Sequence, residues 1–350
     1  MKPFRPERAR LAHEMRATVH LALPLILAQL AAIGSNVIDA VLAGHVSAHV
    51  LGAVAVGASI WSLAIVSGIG MMMAVPPSVA QLDGAGRRHE VGAVFRQALW
   101  LALGMGVLLW FAVRHAAPLI DLIGVTESLR NDVQAFLLAI SWGTPALTCY
   151  FALRGLSEGL SLTRPSMYFG FSGLVLLVPL GYVLMFGKLG IPPQGAHGCG
   201  IATAAVLWLE MLAFGIYVIF RRNYHGLGLF DRFEWPNLRR IGALAHIGLP
   251  MAVTLLMEAG MFVAVALMIG RLGETVTASH HVALNVASVA FMIPLGLSMA
   301  ITVRVGNAAG RRDIKGVRYA GMSGIALVLV TQFVSSGTML LLPGPIASQL

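Results

Sequence analysis

Three carboxylates stand deep inside otherwise apolar stretches of this chain: Asp39, Glu210 and Glu258. An ionised side chain at the centre of a membrane helix costs on the order of 2.5–3.5 kcal/mol on insertion scales, so each needs a partner, water or a function. Asn36 precedes Asp39 by three residues and Gln29 lies about two to three turns earlier on nearly the same stripe, which puts three polar groups on one helix face. Thr254 stands one turn before Glu258 in the same way. The chemistry open to such carboxylates is the holding of a proton or a cation. Glu210 has no basic residue near it in sequence, so a lipid-facing, protonated or helix-contact role competes with transport there. Glu158 follows Arg154 by four residues and is expected in a polar connection between spans, solvated, paired with Arg154 and serving a gate in preference to touching substrate.

Other patterns carry less. Gly155-Leu-Ser-Glu-Gly159 has the spacing of a nucleophile elbow, a motif that acts only at a strand-to-helix turn; between two apolar spans it has no such meaning. His280 and His281 are adjacent, so on a helix they point apart and do not share a metal. Cys149 and Cys199 fit neither a disulfide framework nor a metal spacing. No catalytic residue, transition metal or cofactor is expected, and the chain does not read as an enzyme.

The elements that position these groups follow from composition. Of 350 residues 57% are hydrophobic and 11% charged, with mean hydropathy +0.81; soluble domains carry roughly 25% charged residues, so a soluble globular protein is excluded. Nine stretches reach the length that crosses a bilayer, near 17–43, 50–80, 92–120, 132–153, 166–187, 199–220, 241–270, 276–303 and 319–343. With the amino terminus inside, 20 of the 24 lysines and arginines fall in cytoplasmic segments; only Arg114, Arg130, Lys188 and Arg271 fall outside. The net charge of +9 therefore reflects topology and lipid contact, not nucleic acid.

The chain also repeats itself at an offset of 226 residues. Leu-Ala-Leu-Pro at 21–24 returns as Ile-Gly-Leu-Pro at 247–250, Gly44 falls on Gly270, Gly70 on Gly296, and Ala80-Gln81 on Gly306-Asn307; Gly86-Arg87-Arg88 meets Gly310-Arg311-Arg312 after a slip of two. Six spans separate the copies, so the halves are parallel, an architecture of transporters. The expected fold is all-α: a six-helix bundle over 1–225, a cytoplasmic linker over 226–240, and a partial second bundle over 241–350, truncated after its third helix. Asp39 and Glu258 are not repeat mates, since their equivalents are Val265 and Ala32.

These residues resemble the multidrug and toxic compound extrusion (MATE) transporters, NorM-like branch. The carriers are Leu-Pro followed by Asp39-Ala-Val-Leu-Ala-Gly, Arg-Gly-Leu-Ser-Glu-Gly-Leu at 154–160, Gly-Cys-Gly-Ile-Ala-Thr-Ala at 198–204, Glu258, Ala278-Ser-His-His-Val-Ala-Leu-Asn285, and Arg304-Val-Gly306. The resemblance implies ion-driven export of amphipathic, mostly cationic compounds, with Asp39 and Glu258 as ion-coupling positions, a proton or sodium as coupling ion, and sodium a candidate at Glu258. It implies a multi-pass protein of the bacterial inner membrane, amino terminus cytoplasmic, working as a monomer among membrane lipids. One departure stands out: the asparagine pair that flanks the fifth-span proline in NorM-like proteins is replaced by Leu177 and Gly181 around Pro179, which thins the polar surroundings expected for Asp39.

Two rivals follow from the same composition. A flippase for a lipid-linked precursor shares the architecture but should line its cavity with arginine, and these spans show almost none. An intramembrane aspartyl protease needs two facing aspartates, one in a Gly-x-Gly-Asp setting, and that setting is absent.

Overall fold

The computed structural model describes residues 8–118, 120, 126–188, 190, 192–270 and 274–341. Lys2, Arg5, Arg271, residues 121–125 of the expected 121–131 loop and the 342–350 end lie outside them. Among the described residues there is no β-strand. The helices are α1 (Arg8–Val46), α2 (Ala48–Met72), α3 (Val75–Gly84), α4 (Arg88–Arg114), α5 (Glu127–Ser141), α6 (Thr144–Gly159), α7 (Arg164–Phe186), α8 (Gly195–Phe220), α9 (Leu238–Gly270), α10 (Glu274–Gly310) and α11 (Ile314–Leu341). Eight of the spans are long apolar helical runs, α2 and α3 together making one of them, and α5 with α6 forms a further span bent by 46°.

That bend has a local cause. Pro145 lacks the N–H that would close a turn onto Ser141, so the helix breaks at Trp142-Gly143. The Ser141 carbonyl accepts instead from Thr144 Oγ1 at 2.9 Å, and the same hydroxyl lies 2.9 Å from the Gly106 carbonyl of α4. The second span breaks before Pro76-Pro77, which sets α3 at an offset from α2.

The fourth span runs further than its hydropathy suggests. Helix α6 continues to Gly159, so Arg154 and Glu158, expected in a solvated connection, lie buried inside it. The cause is close packing: at Gly155 and Gly159 any Cβ would press on Val75 and Val79, so α3 sits directly against the glycine face of α6. Small residues four apart allow helices to approach in this way. The apparent nucleophile spacing is thus a packing face, with Ser157 buried and bonded to the Leu153 carbonyl and the Tyr224 hydroxyl.

The two copies meet through matched contacts. Gly70 lies against the Ala252 backbone, and Gly296 lies against Ile26; the offset of 226 converts one pair into the other. Gly84 on Asn307 and Gly310 on Gln81 form a second such couple, and Gly306 on Ala80 is its own mate. At Gly70, Gly84, Gly296 and Gly310 a Cβ would meet the opposite backbone at under 3.0 Å, so glycine allows the close approach; at Gly306 the contact with the Ala80 Cβ, 3.1 Å, is only tight. The repeat therefore needs no slip at its basic end: Gly310 pairs in register with Gly84, not Gly86. These contacts place α10 on α1 and α3, and α9 on α2.

Between α8 and α9 the chain forms a strap along the start of α4. Gln97, 1% exposed, has both ends of its amide satisfied: Nε2 donates to the Trp235 carbonyl at 3.1 Å and Oε1 accepts from the Asn237 N–H at 2.7 Å. Arg96 bonds the Gly228 and Leu229 carbonyls and pairs with Glu234 at 2.9 Å, while Trp100 Nε1 donates to the Glu234 carbonyl.

Candidate functional site

A cavity of about 320 Å³ opens within the first copy, walled by α1, α2 and α5–α8 and touched by Met292 of α10. Gln29, Asn36 and Asp39 all face it from α1, as their helical spacing requires. Opposite them, α8 presents Thr203, Val206, Leu207 and Glu210, a run of i, i+3, i+4 and i+7. Trp61, Phe136, Tyr150 and Phe151 supply aromatic wall.

Asp39 is only half satisfied. The Thr203 hydroxyl lies 3.3 Å from its Oδ2, sharing its one proton with the Cys199 carbonyl at 3.1 Å, and the Cys199 thiol lies beside it. Its Oδ1 is buried with no hydrogen-bond partner. Buried polar atoms are nearly always paired, so an orphan carboxylate oxygen facing a cavity marks a place for a proton or a cation. Leu177, 1% exposed, does line the same cavity in place of an amide, and Gly181 packs on Leu42. The thinning expected around Asp39 is nevertheless corrected in one respect: a neutral oxygen arrives from α8. Thr203 was missed because its link to Asp39 crosses 164 positions of sequence.

Below this cavity a smaller chamber of about 200 Å³ shares Gln29, Ile69, Phe151 and Arg154 with it and reaches Glu158, Leu255 and Met299. Its floor is an ion pair. Arg154 Nε donates to Glu158 Oε1 at 2.6 Å, and Nη2 donates to Gln29 Oε1 at 3.0 Å. Ser166 adds a donor to Glu158 at 3.3 Å. The pairing of Arg154 with Glu158 agrees with their spacing, but their surroundings do not: Glu158 is 2% exposed, not solvated. A buried pair of this kind is strongly destabilised when one partner is removed. Among the described residues Arg154 is the one arginine that lines these two chambers, in keeping with spans that show almost none.

Glu210 requires a second correction. Its carboxylate sits in the notch left by Gly173 of α7 and lines the same cavity as Arg154, so it is neither lipid-facing nor remote from positive charge. Among the described residues no donor hydrogen-bonds to it.

Glu258 and Thr254 lie apart from this group. Both are exposed on α9, Thr254 Oγ1 donates to the Pro250 carbonyl at 2.9 Å, and neither lines the Asp39 cavity. His280 is partly buried on α10; the side chain of His281 lies outside the described residues.

Among the described residues, eight apolar helical spans and one bent helix pair, packed as two matched copies with a carboxylate-lined cavity inside the first, define an all-α multi-pass membrane protein. The MatE family model matches residues 24–183 and 250–350, and the chain belongs to that family. It is 46% identical over 332 residues to a probable multidrug resistance protein NorM of Xanthomonas campestris pv. campestris, covering 95% of this chain and 72% of that relative. It is 40% identical over 343 residues to the multidrug resistance protein PmpM of Pseudomonas aeruginosa, covering 97% and 71%. Among solved structures, the eukaryotic MATE transporter AtDTX14 superposes with a TM-score of 0.85 at 20% identity, over 94% of this chain and 73% of the other. An outward-facing MATE family transporter of the MOP superfamily gives 0.83 at 19% identity, over 99% and 77%. These likenesses show the fold.

Proposed function

We propose that this chain exports amphipathic, mostly cationic compounds across the bacterial inner membrane in exchange for an inward-moving cation. The observation that carries this reading is the orphan Oδ1 of Asp39 in an aromatic-walled cavity. One carboxylate there can hold either the coupling ion or an organic cation, and exclusion of one by the other is antiport. The names of the relatives, multidrug resistance proteins, point the same way.

Asp39 acts as a proton switch in this reading. Sodium, like other hard cations, favours several oxygen ligands; Asp39 has Thr203 beside it but Leu177 and Gly181 where NorM-like proteins carry amides. Glu258, with Thr254 on its face of α9, is the second coupling position, open to sodium or a proton. Arg154 and Glu158 hold the floor, and Gln29, with Asn36, stays on the ion- and substrate-binding stripe of Asp39 while accepting from Arg154. A flippase for anionic headgroups would need a free cavity arginine, and Arg154 is already engaged by Glu158. The 20-to-4 distribution of basic residues supports a cytoplasmic amino terminus. In this topology the strap over 221–237 faces the cytoplasm.

The test is dye efflux from proteoliposomes with proton and sodium gradients imposed separately. Export driven by either gradient and lost in Asp39→Asn supports the reading; no export under either gradient overturns it.

A further inference from the structure

The cavity holds two carboxylates, and only one has a role so far. Asp39 lies level with Thr203, whose hydroxyl it accepts, and Glu210 stands seven residues further along the same helix. Seven residues turn the helix almost back onto its own stripe and advance it by about 10 Å. The two acids thus lie one above the other along the α8 wall, with apolar Val206 and Leu207 between them.

Both are short of partners. Asp39 Oδ1 is buried and unbonded, and no donor among the described residues serves Glu210. The one interior cation near Glu210, Arg154, is held by Glu158 at 2.6 Å and by Gln29 at 3.0 Å. With Arg154 and Glu158 paired to each other, the cavity holds two carboxyl groups that no protein cation among the described residues neutralises. Gly173 makes the arrangement sterically open, since a Cβ there would overlap the Glu210 carboxylate.

We infer that Glu210 is a second cation-binding carboxylate, and that the cavity selects elongated dications whose charges lie about 10 Å apart with an apolar spacer between them. This inference rests on the cation-export reading and names its preferred substrate class. One charge meets Asp39, the other meets Glu210, and Leu207 with the aromatic walls covers the spacer. A monocation pairs with one acid only and forgoes the second charge pairing that a dication gains.

The experiment is equilibrium displacement of radiolabelled tetraphenylphosphonium from the purified full chain by bis(trimethylammonium)alkanes of increasing spacer length. The wild-type protein should show an optimum at spacers that set the charges about 10 Å apart, displacing roughly tenfold better than the shortest member. Glu210→Gln should abolish the length optimum, and Glu210→Asp, which keeps the charge, should retain one. Gly173→Ala, which pushes the carboxylate out of its notch, should flatten the optimum with Glu210 still present. A flat wild-type profile overturns the inference, as does an optimum that persists in Glu210→Gln. Because the readout is binding without any gradient, its failure is distinct from failure of gradient-driven export, which would count against the export reading itself.

Discussion

Arg154 Nη2 donates to Gln29 Oε1 at 3.0 Å, joining α6 to the polar stripe of α1 across 125 positions of sequence. The bond places a guanidinium at the point where the two chambers meet, and Glu158 neutralises it from one helical turn away. A polar bond thus links α1 to α6, two helices that otherwise pack mainly on other neighbours.

Removing Glu158 alone should therefore be severe. Glu158→Ala leaves a buried guanidinium without its counter-charge, a loss of about 3–5 kcal/mol for such pairs. Arg154→Met combined with Glu158→Leu removes both charges and fills the space, so it should recover most of that loss. Thermal unfolding in detergent, followed by size-exclusion of the folded fraction, compares the two. If the double variant melts no higher than Glu158→Ala, the ion pair is not what stabilises the floor.

The span count, the repeat and the stripe of Gln29, Asn36 and Asp39 were legible in the sequence because each depends on local spacing or on a fixed offset. What was hidden depends on contacts between distant segments. Thr203 reaches Asp39 from another helix, Gly173 opens a notch for a side chain on α8, and Arg154 finds Gln29 on α1. Glu158 was misplaced for a related reason: hydropathy falls at Arg154, but the helix and its burial continue to Gly159 because glycines admit α3. A charge at the end of an apolar run looks solvated until the packing partner is known.

Thr203→Val should weaken the Asp39 site without abolishing it. The substitution keeps the shape and removes a hydroxyl whose proton Asp39 shares with the Cys199 carbonyl, a contact worth about 0.5–1.5 kcal/mol. Asp39→Asn, by contrast, should eliminate gradient-driven efflux while the protein still inserts. Vesicle efflux rates for the two variants give the ordering; wild-type rates in Asp39→Asn would end the proton-switch assignment.

The strap should hold through acid until an ordinary glutamate would already be protonated. The hydrogen bond from Arg96, aided by Arg232, keeps the Glu234 carboxyl below its usual value of 4.5. A depressed folded-state value means the stabilisation is fully present above the unfolded value and is lost as pH falls through the lower, folded one. Trp235 is exposed on the strap, so the difference in emission between the wild-type chain and Trp235→Phe reports its environment. That signal should stay level from neutral pH down to 4.5 and change only below it. In Glu234→Gln the acid transition should vanish; a midpoint near neutrality in the wild-type chain would mean another group holds the strap.

The matched glycine contacts predict a closure that can be locked. Ala80 on α3 and Gly306 on α10 are repeat mates of each other, and a Cβ on Gly306 would lie 3.1 Å from that of Ala80. Disulfides span Cβ–Cβ separations of about 3.5–4.5 Å, so the two backbones need yield by only a few tenths of an ångström to accept one. An Ala80→Cys/Gly306→Cys chain should therefore cross-link under mild oxidation, in a background where Cys149 and Cys199, both buried, are replaced by alanine. Alternating access requires the two copies to part where they now touch, so the oxidised protein should bind tetraphenylphosphonium but fail to export it, and reductant should restore export. The neighbouring couple offers an independent check. Gly84→Ala and Gly310→Ala each drive a methyl group into a backbone carbonyl of the opposite copy, at Asn307 and Gln81 respectively. Because the offset relates these two clashes, they should shift the balance toward the parted state to a similar extent and lower cross-linking of the cysteine pair by similar factors. Strong cross-linking with undiminished efflux would show that the contact between Ala80 and Gly306 stays closed throughout the cycle, and the parting of the copies would have to occur elsewhere.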